Sequence, residues 1–255
     1  MKDLSRWGIA MAFSLLALFP GTALAQITVI TSGGFATPLK TALPEFEKAT
    51  GISVTVMLGK SQGAGPDTIS AQLRSGVSAD VVILSREGLN DLISENRIAK
   101  NSDVDLAKTP LGMAVKAGAP KPDISTVEGF KNTLLRAKSI TYPSSTTGIY
   151  MATKLFPQLG IAEALAGKST NAGVVTVAKG ETEIAIQPVS ELLHVAGTDF
   201  VGTLPQSIQY VSVFSAGRVA GSGKDDQAKQ LISFLASEKA GEAMRNSGME
   251  PLRRR

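Results

Sequence analysis

The chain has 255 residues, with 26 Lys and Arg against 22 Asp and Glu, a single histidine and no cysteine. Without cysteine there are no disulfides and no thiol chemistry, and the lone His194 cannot make a zinc centre of the usual kind. The net charge of +4 sits at the ends, +1 on the first 25 residues and +3 on Arg253, Arg254 and Arg255, so the near-neutral body excludes a basic nucleic-acid-binding face.

Taken in order, the chain begins with Lys2 and Arg6, then an apolar run from Trp7 to Phe19 that is too short to span a membrane. Ala23-Leu24-Ala25 follows with the small-x-small pattern of a secretory cleavage site. Residues 1–25 are therefore expected to be a cleavable signal peptide, leaving 230 residues for export to the periplasm. That length suffices for one large domain or two small lobes, and no later segment is apolar enough for stable membrane insertion.

Ile27 to Thr31 reads as a buried strand ended by Gly33-Gly34, and Leu39, Leu43 and Phe46 then mark one face of a helix that Gly51 stops. Ile52–Met57 and Ala79–Leu84 are the next strands, with helices at Thr68–Ser75 and about Glu87–Ser94. This alternation predicts a parallel sheet covered on both faces. After the strand Leu111–Val115 and a Gly/Pro-rich stretch, a second series begins. It comprises helix Thr126–Leu135, strand Ser139–Tyr142, helix Thr147–Leu159, an ambiguous segment Gly173–Ala178 and strand Glu183–Gln187. Tyr210–Phe214 is strand-like, and Asp226–Ala236 and Lys239–Asn246 are helical.

Two α/β series with a final return predict a two-lobed α/β architecture, each lobe a mixed or parallel sheet flanked by helices. One lobe would comprise 26–111 plus 209–255 and the other 112–208. Ligands of open α/β sheets sit beyond the carboxyl ends of the strands, so the cleft between the lobes is the expected site.

Four segments carry candidate chemistry. Ser32-Gly33-Gly34-Phe35 joins the first strand to the first helix, where glycines let backbone approach a ligand and a helix start offers N–H groups to an anion; the plain alternative is an ordinary turn. The loop Gly59 to Asp67 presents Lys60 and Ser61. It is not a phosphate-binding P-loop, because the glycine required five residues before Gly59 is Val54, which leaves a flexible cation-bearing loop or simply a solvated one. Tyr142-Pro143-Ser144-Ser145-Thr146-Thr147-Gly148 places four hydroxyls at a helix start, more than one N-cap uses, and Ser145, Thr146 and Thr147 are assigned to anion binding. Gln187, Ser190 and Glu191 form a fourth set after a strand. Serine hydrolase chemistry would need His194 as base, and no Gly-x-Ser-x-Gly turn is present.

Phe46-Glu47-Lys48-Ala49-Thr50-Gly51, Ile69 through Gly76, Ala79 through Ser85 and Thr147-Gly148-Ile149-Tyr150, in this order, resemble the substrate-binding proteins of molybdate-type ABC transporters. The resemblance covers nearly all of the mature chain and implies a type II periplasmic binding fold. It also implies oxyanion donors on loops from both lobes, a small anionic solute, delivery to an ABC transporter membrane component, and a monomer without cofactor or metal. The family's ligand positions are altered: its first hydroxyl falls near Gly34, its second serine loop is replaced by Gly59–Pro66, and its late tyrosine falls at Pro188. An added lysine loop and a ring of hydroxyls suit an anion with several carboxylates. Divergent members of this superfamily resemble periplasmic aconitate isomerases, which need no cofactor; on that alternative Lys60 and Glu191 are the candidate bases.

Overall fold

The structure, a computed structural model, describes residues 25–252. Residues 1–24 of the expected signal peptide and the terminal arginines lie outside those residues. Its elements in chain order are β1 (Gln26–Thr31), α1 (Gly33–Thr50), β2 (Ser53–Leu58), α2 (Ile69–Arg74), β3 (Val81–Ser85), α3 (Arg86–Ser94) and β4 (Val104–Lys116). The second series runs α4 (Val127–Arg136), β5 (Ile140–Thr141), α5 (Thr146–Tyr150), a π-helical turn (Met151–Leu155), α6 (Phe156–Gln158), α7 (Ala162–Ala166), β6 (Ser169–Thr170), α8 (Val175–Lys179), β7 (Ile184–Pro188) and α9 (Val189–Leu192). The return comprises β8 (Thr198–Thr203), β9 (Val211–Arg218), α10 (Asp225–Leu235), α11 (Glu238–Asn246) and β10 (Glu250–Pro251).

The strands follow the order β2-β1-β3-β9-β4-β7-β5-β6, with β8 and β10 also paired to β4. β1, β2 and β3 are parallel, as the alternating pattern predicts, but β9 is antiparallel to β3 and β4 is antiparallel to β9. The sheet is mixed because the chain returns to it from the opposite direction. β4 is the element the sequence reading shortened most: Val104–Pro110 pairs with β9, and Leu111–Val115 pairs with β7. One strand thus serves two sheet halves, and Pro110, which lacks an amide donor, stands where the partner changes.

Strand alternation builds a separate core on each face. Val81 and Ile83 of β3 pack into one cluster with Phe35, Leu39, Phe46 and Leu231, whereas Val82 and Leu84 pack into another with Ile30, Leu73 and Leu89. In the other half, Ile184 and Ile186 join Phe130 and Leu134, and Ala185 faces Val177 and Leu192. The first two clusters draw on residues 27–107 and 214–249, and the other two on residues 111–208. α1 is held by its buried stripe despite Pro38 and Pro44 inside it, each of which removes a helical donor. The ambiguous segment near Gly173 resolves as helix α8, and the unpredicted β8 lies along β4. No helix among the described residues is long and apolar enough to cross a membrane.

Candidate functional site

β1 and β3 in one half and β5 and β7 in the other run in opposite directions, so their carboxyl ends point at each other near the middle of β4, and the loops and helix starts that follow enclose a cavity of about 240 Å³. It is lined from one half by Ser32, Gly33, Lys60, Ser61, Ser85 and Phe214, and from the other by Ser145, Thr146, Thr147, Asn171, Gln187 and Glu191. A larger concavity of about 540 Å³ lies at the opposite end of β7, but it is open, and its charged groups are the surface chains Lys116, Lys121, Arg136 and Glu183. We take the smaller cavity as the site because helix starts and buried polar groups converge there.

The Ser32 segment is built for close approach. Ser32 begins α1, its N–H donates to the Ile83 carbonyl at 2.8 Å, and its Oγ, freed from capping, is buried without a hydrogen-bond partner. Gly34 admits no side chain: a Cβ there would lie 2.2 Å from Cζ of Phe214 and 3.2 Å from Oε1 of Glu191. The Phe35 side chain departs from the sequence expectation. It is fully buried in the core against Phe214, with ring centroids 6.2 Å apart, and does not face the cavity.

The hydroxyl cluster on the other side is shaped by Gly148, where a Cβ would sit 1.6 Å from the Pro143 carbonyl oxygen. That contact folds Ser144–Thr147 tightly over the helix start. Part of the expected donor ring is spent bridging the two halves. The Thr146 hydroxyl donates to Oε1 of Gln62 at 3.0 Å, so its 2.8 Å contact with Ser85 has Ser85 as donor. Ser145 Oγ accepts from the Gln62 N–H at 3.3 Å across the same seam, while within the first half Ser61 Oγ accepts from the Ser85 N–H at 3.0 Å. Lys60 reaches the cavity wall, but its ammonium is paired with Asp67 at 2.8 Å and holds that exposed carboxyl below its usual range. Ser190 is buried beside the site without lining it, and its Oγ has no partner.

Glu191 brings a carboxyl to the cavity wall that protein encloses. It projects from α9 towards the start of α1, with Oε1 within 3.4 Å of the Cβ position at Gly33. Its Oε2 accepts from Nε2 of Gln187 at 2.6 Å. Some of the residue still reaches the cavity surface, yet protein surrounds the carboxyl, and this burial pushes it up from 4.5 to about 7. The Gln187 hydrogen bond pulls the other way, as does the positive end of α1. His194 lies elsewhere, with its Nε2 at 2.9 Å from the Asn246 carbonyl. Among the described residues no group of His, Cys, Asp and Glu is arranged to hold a metal ion.

Sequence reasoning missed Ser85, Gln62, Ser212, Phe214 and Asn171 as lining or bridging groups. Ser85 had a readable signal, since it repeats the strand–hydroxyl–helix order of Ser32. Ser212 and Phe214 had none, because β9 reaches the cavity only through its pairing with β3.

A cavity framed by strand ends and helix starts, in an α/β fold with two core-bearing halves sharing a long strand, defines a two-lobed binding protein of the type II periplasmic class. The sulfate-binding protein SubI from Mycobacterium tuberculosis H37Rv superposes with TM-score 0.71 at 19% identity, covering 89% of this chain and 87% of that one. The Azotobacter vinelandii periplasmic molybdate-binding protein gives 0.66 at 18% identity, covering 88% and 98%. At such identities the likeness establishes the fold. The chain belongs to the bacterial extracellular solute-binding protein family, whose profile matches residues 27–250. It is also 37% identical over 243 residues to an aconitate isomerase from a Pseudomonas species, covering 93% of this chain and 91% of the relative.

Proposed function

We propose that the chain is an exported aconitate isomerase built on the solute-binding fold, which interconverts cis- and trans-aconitate in the cavity between its lobes. The observation that carries this reading is Glu191, a carboxyl buried at the cavity wall with its pKa raised to about 7. A general base works best with a pKa near the operating pH. The 37% identity to an aconitate isomerase along nearly the whole chain supports the same reaction. Export to the periplasm is supported by the family and by the sequence of residues 1–25.

Residues 26–111 with 209–255 would form one lobe and 112–208 the other, closing on the substrate as a monomer. Ionised Glu191 removes one proton from the methylene carbon of aconitate. The C–H electron pair spreads over the allylic carbons and the neighbouring carboxylate. Glu191 then returns the proton to the former vinylic carbon while the double bond moves to the other side, so no proton is gained or lost. Negative charge on the substrate carboxylate is met by the Ser32 hydroxyl and the α1 amides, donors already in place. Lys60 is less suited to be the base, because its ammonium is paired with Asp67.

The test is incubation of purified protein with cis-aconitate, following trans-aconitate by proton NMR, with Glu191→Gln as control. Turnover lost in the variant supports the reading; wild-type protein without turnover removes it. Family membership favours a second reading, in which the cleft only captures a polycarboxylate or other small oxyanion for an ABC transporter. Saturable trans-aconitate binding with no turnover would select it.

A further inference from the structure

Gln187 and Glu191 form a pair whose geometry says more than that one supports the other. Gln187 is buried at the cavity wall. One end of its amide, Nε2, lies 2.6 Å from Oε2 of Glu191; the other, Oε1, is buried with no hydrogen-bond partner. The orientation follows from chemistry. An ionised carboxylate only accepts, so the amide nitrogen must face it and the amide oxygen must face away.

Protonating Glu191 reverses the preference. A carboxylic acid has one O–H to donate and needs an acceptor, which the amide meets by turning over and offering Oε1. The same rotation turns Nε2 away from Glu191. Among the groups lining the cavity, the charged ones are Glu191 and Lys60, the latter engaged by Asp67. α1 presents no acidic residue in its first turn, and the next titratable residue along the chain after α9, His194, is turned to Asn246. No other charged side chain lining the cavity competes for the amide.

We propose that Gln187 is a positioning residue whose amide turns over with the protonation state of Glu191, donating to the carboxylate when it is ionised and releasing its N–H groups towards the bound substrate once Glu191 has taken up a proton. This rests on the isomerase reading above and assigns a second component to it. In the resting state the N–H groups face Glu191 and the end turned away from it is a buried acceptor, which adds nothing to the binding of an anion. After proton transfer the substrate carries one more negative charge, and at that moment the amide becomes a donor. Stabilisation that appears only with the intermediate speeds the chemical step without tightening substrate binding.

The substitution Gln187→Leu removes both amide ends at similar size. The expected result is a kcat lower by about 100-fold, the usual loss for one oxyanion donor, with KM changed less than about threefold. Because the Gln187 hydrogen bond lowers the Glu191 pKa, the ascending limb of the pH–rate profile is also expected to move to higher pH. A purely structural role would move neither the limb nor the kcat-to-KM split. A 13C NMR titration of the Glu191 carboxyl in both proteins reads the pairing without turnover and should show the same upward move. An unmoved titration in a folded Gln187→Leu protein overturns the proposal, as does a loss confined to KM. An upward move in Gln187→Leu, alongside a wild-type protein that does not isomerise aconitate, would retain the pairing but refute the isomerase reading and, with it, the catalytic half of this inference.

Discussion

Folding makes the Glu191 charge costly, and replacing the residue by glutamine measures that cost. The carboxyl rises from 4.5 to about 7 because burial disfavours its ionised form. At about 1.4 kcal/mol per pH unit this corresponds to about 3 kcal/mol. The folded protein holds the proton more tightly than the unfolded chain, so stability conferred by protonated Glu191 is complete below pH 4.5 and is lost as pH rises through about 7. Glu191→Gln keeps the size and removes the charge. Its stability relative to wild type should be near zero at pH 4.5, grow through pH 6, and reach about 3 kcal/mol in favour of the variant by pH 8.5, or about 6–12 °C in Tm for a chain of this size. Urea and thermal melts of both proteins at these three pH values give the difference directly, since every other titrating group cancels. A constant offset across the range, or a variant less stable than wild type at pH 8.5, would refute a buried, desolvated carboxyl.

Three further outcomes are expected. Ser32→Ala removes a buried hydroxyl that has no partner within the protein, so Tm should hold or rise slightly while trans-aconitate binding, read by calorimetry, weakens about 10- to 100-fold. Ser85→Ala breaks a 2.8 Å bridge between the halves and should weaken binding by about fivefold, the equivalent of about 1 kcal/mol, through loss of the closed form; small-angle scattering should show a more open average shape. Gly34→Ala drives a methyl into the Phe214 ring and should lower stability by about 1–3 kcal/mol in chemical melts, with turnover lost.

Much of the fold was legible because its signals are local. β1 and β3 are short apolar runs ending in hydroxyl–helix junctions, and α1 shows its stripe of Leu39, Leu43 and Phe46. β4 was half legible: Leu111–Val115 is a continuous apolar run buried throughout, whereas Val104–Pro110 mixes Asp105, Lys108 and Pro110, which are exposed or half-buried, with buried Val104, Leu106 and Ala107. Ser32, Ser145, Thr146 and Thr147 could be nominated because hydroxyls beside a helix start have a recognisable use. What each does could not be read in the same way. Thr146 is engaged by Gln62 and Ser85, Phe35 belongs to the core, and Lys60 is held by Asp67.

Sequence alone therefore determined the two α/β series and the set of polar loops from which the site is drawn, since each depends on neighbouring residues. Tertiary structure decided which of those loops meet and what state Glu191 adopts. Its neighbours Gly33, Gly34 and Phe214 come from α1 and β9, far away in the chain, and the raised pKa exists only because these segments close around the carboxyl and remove water from it.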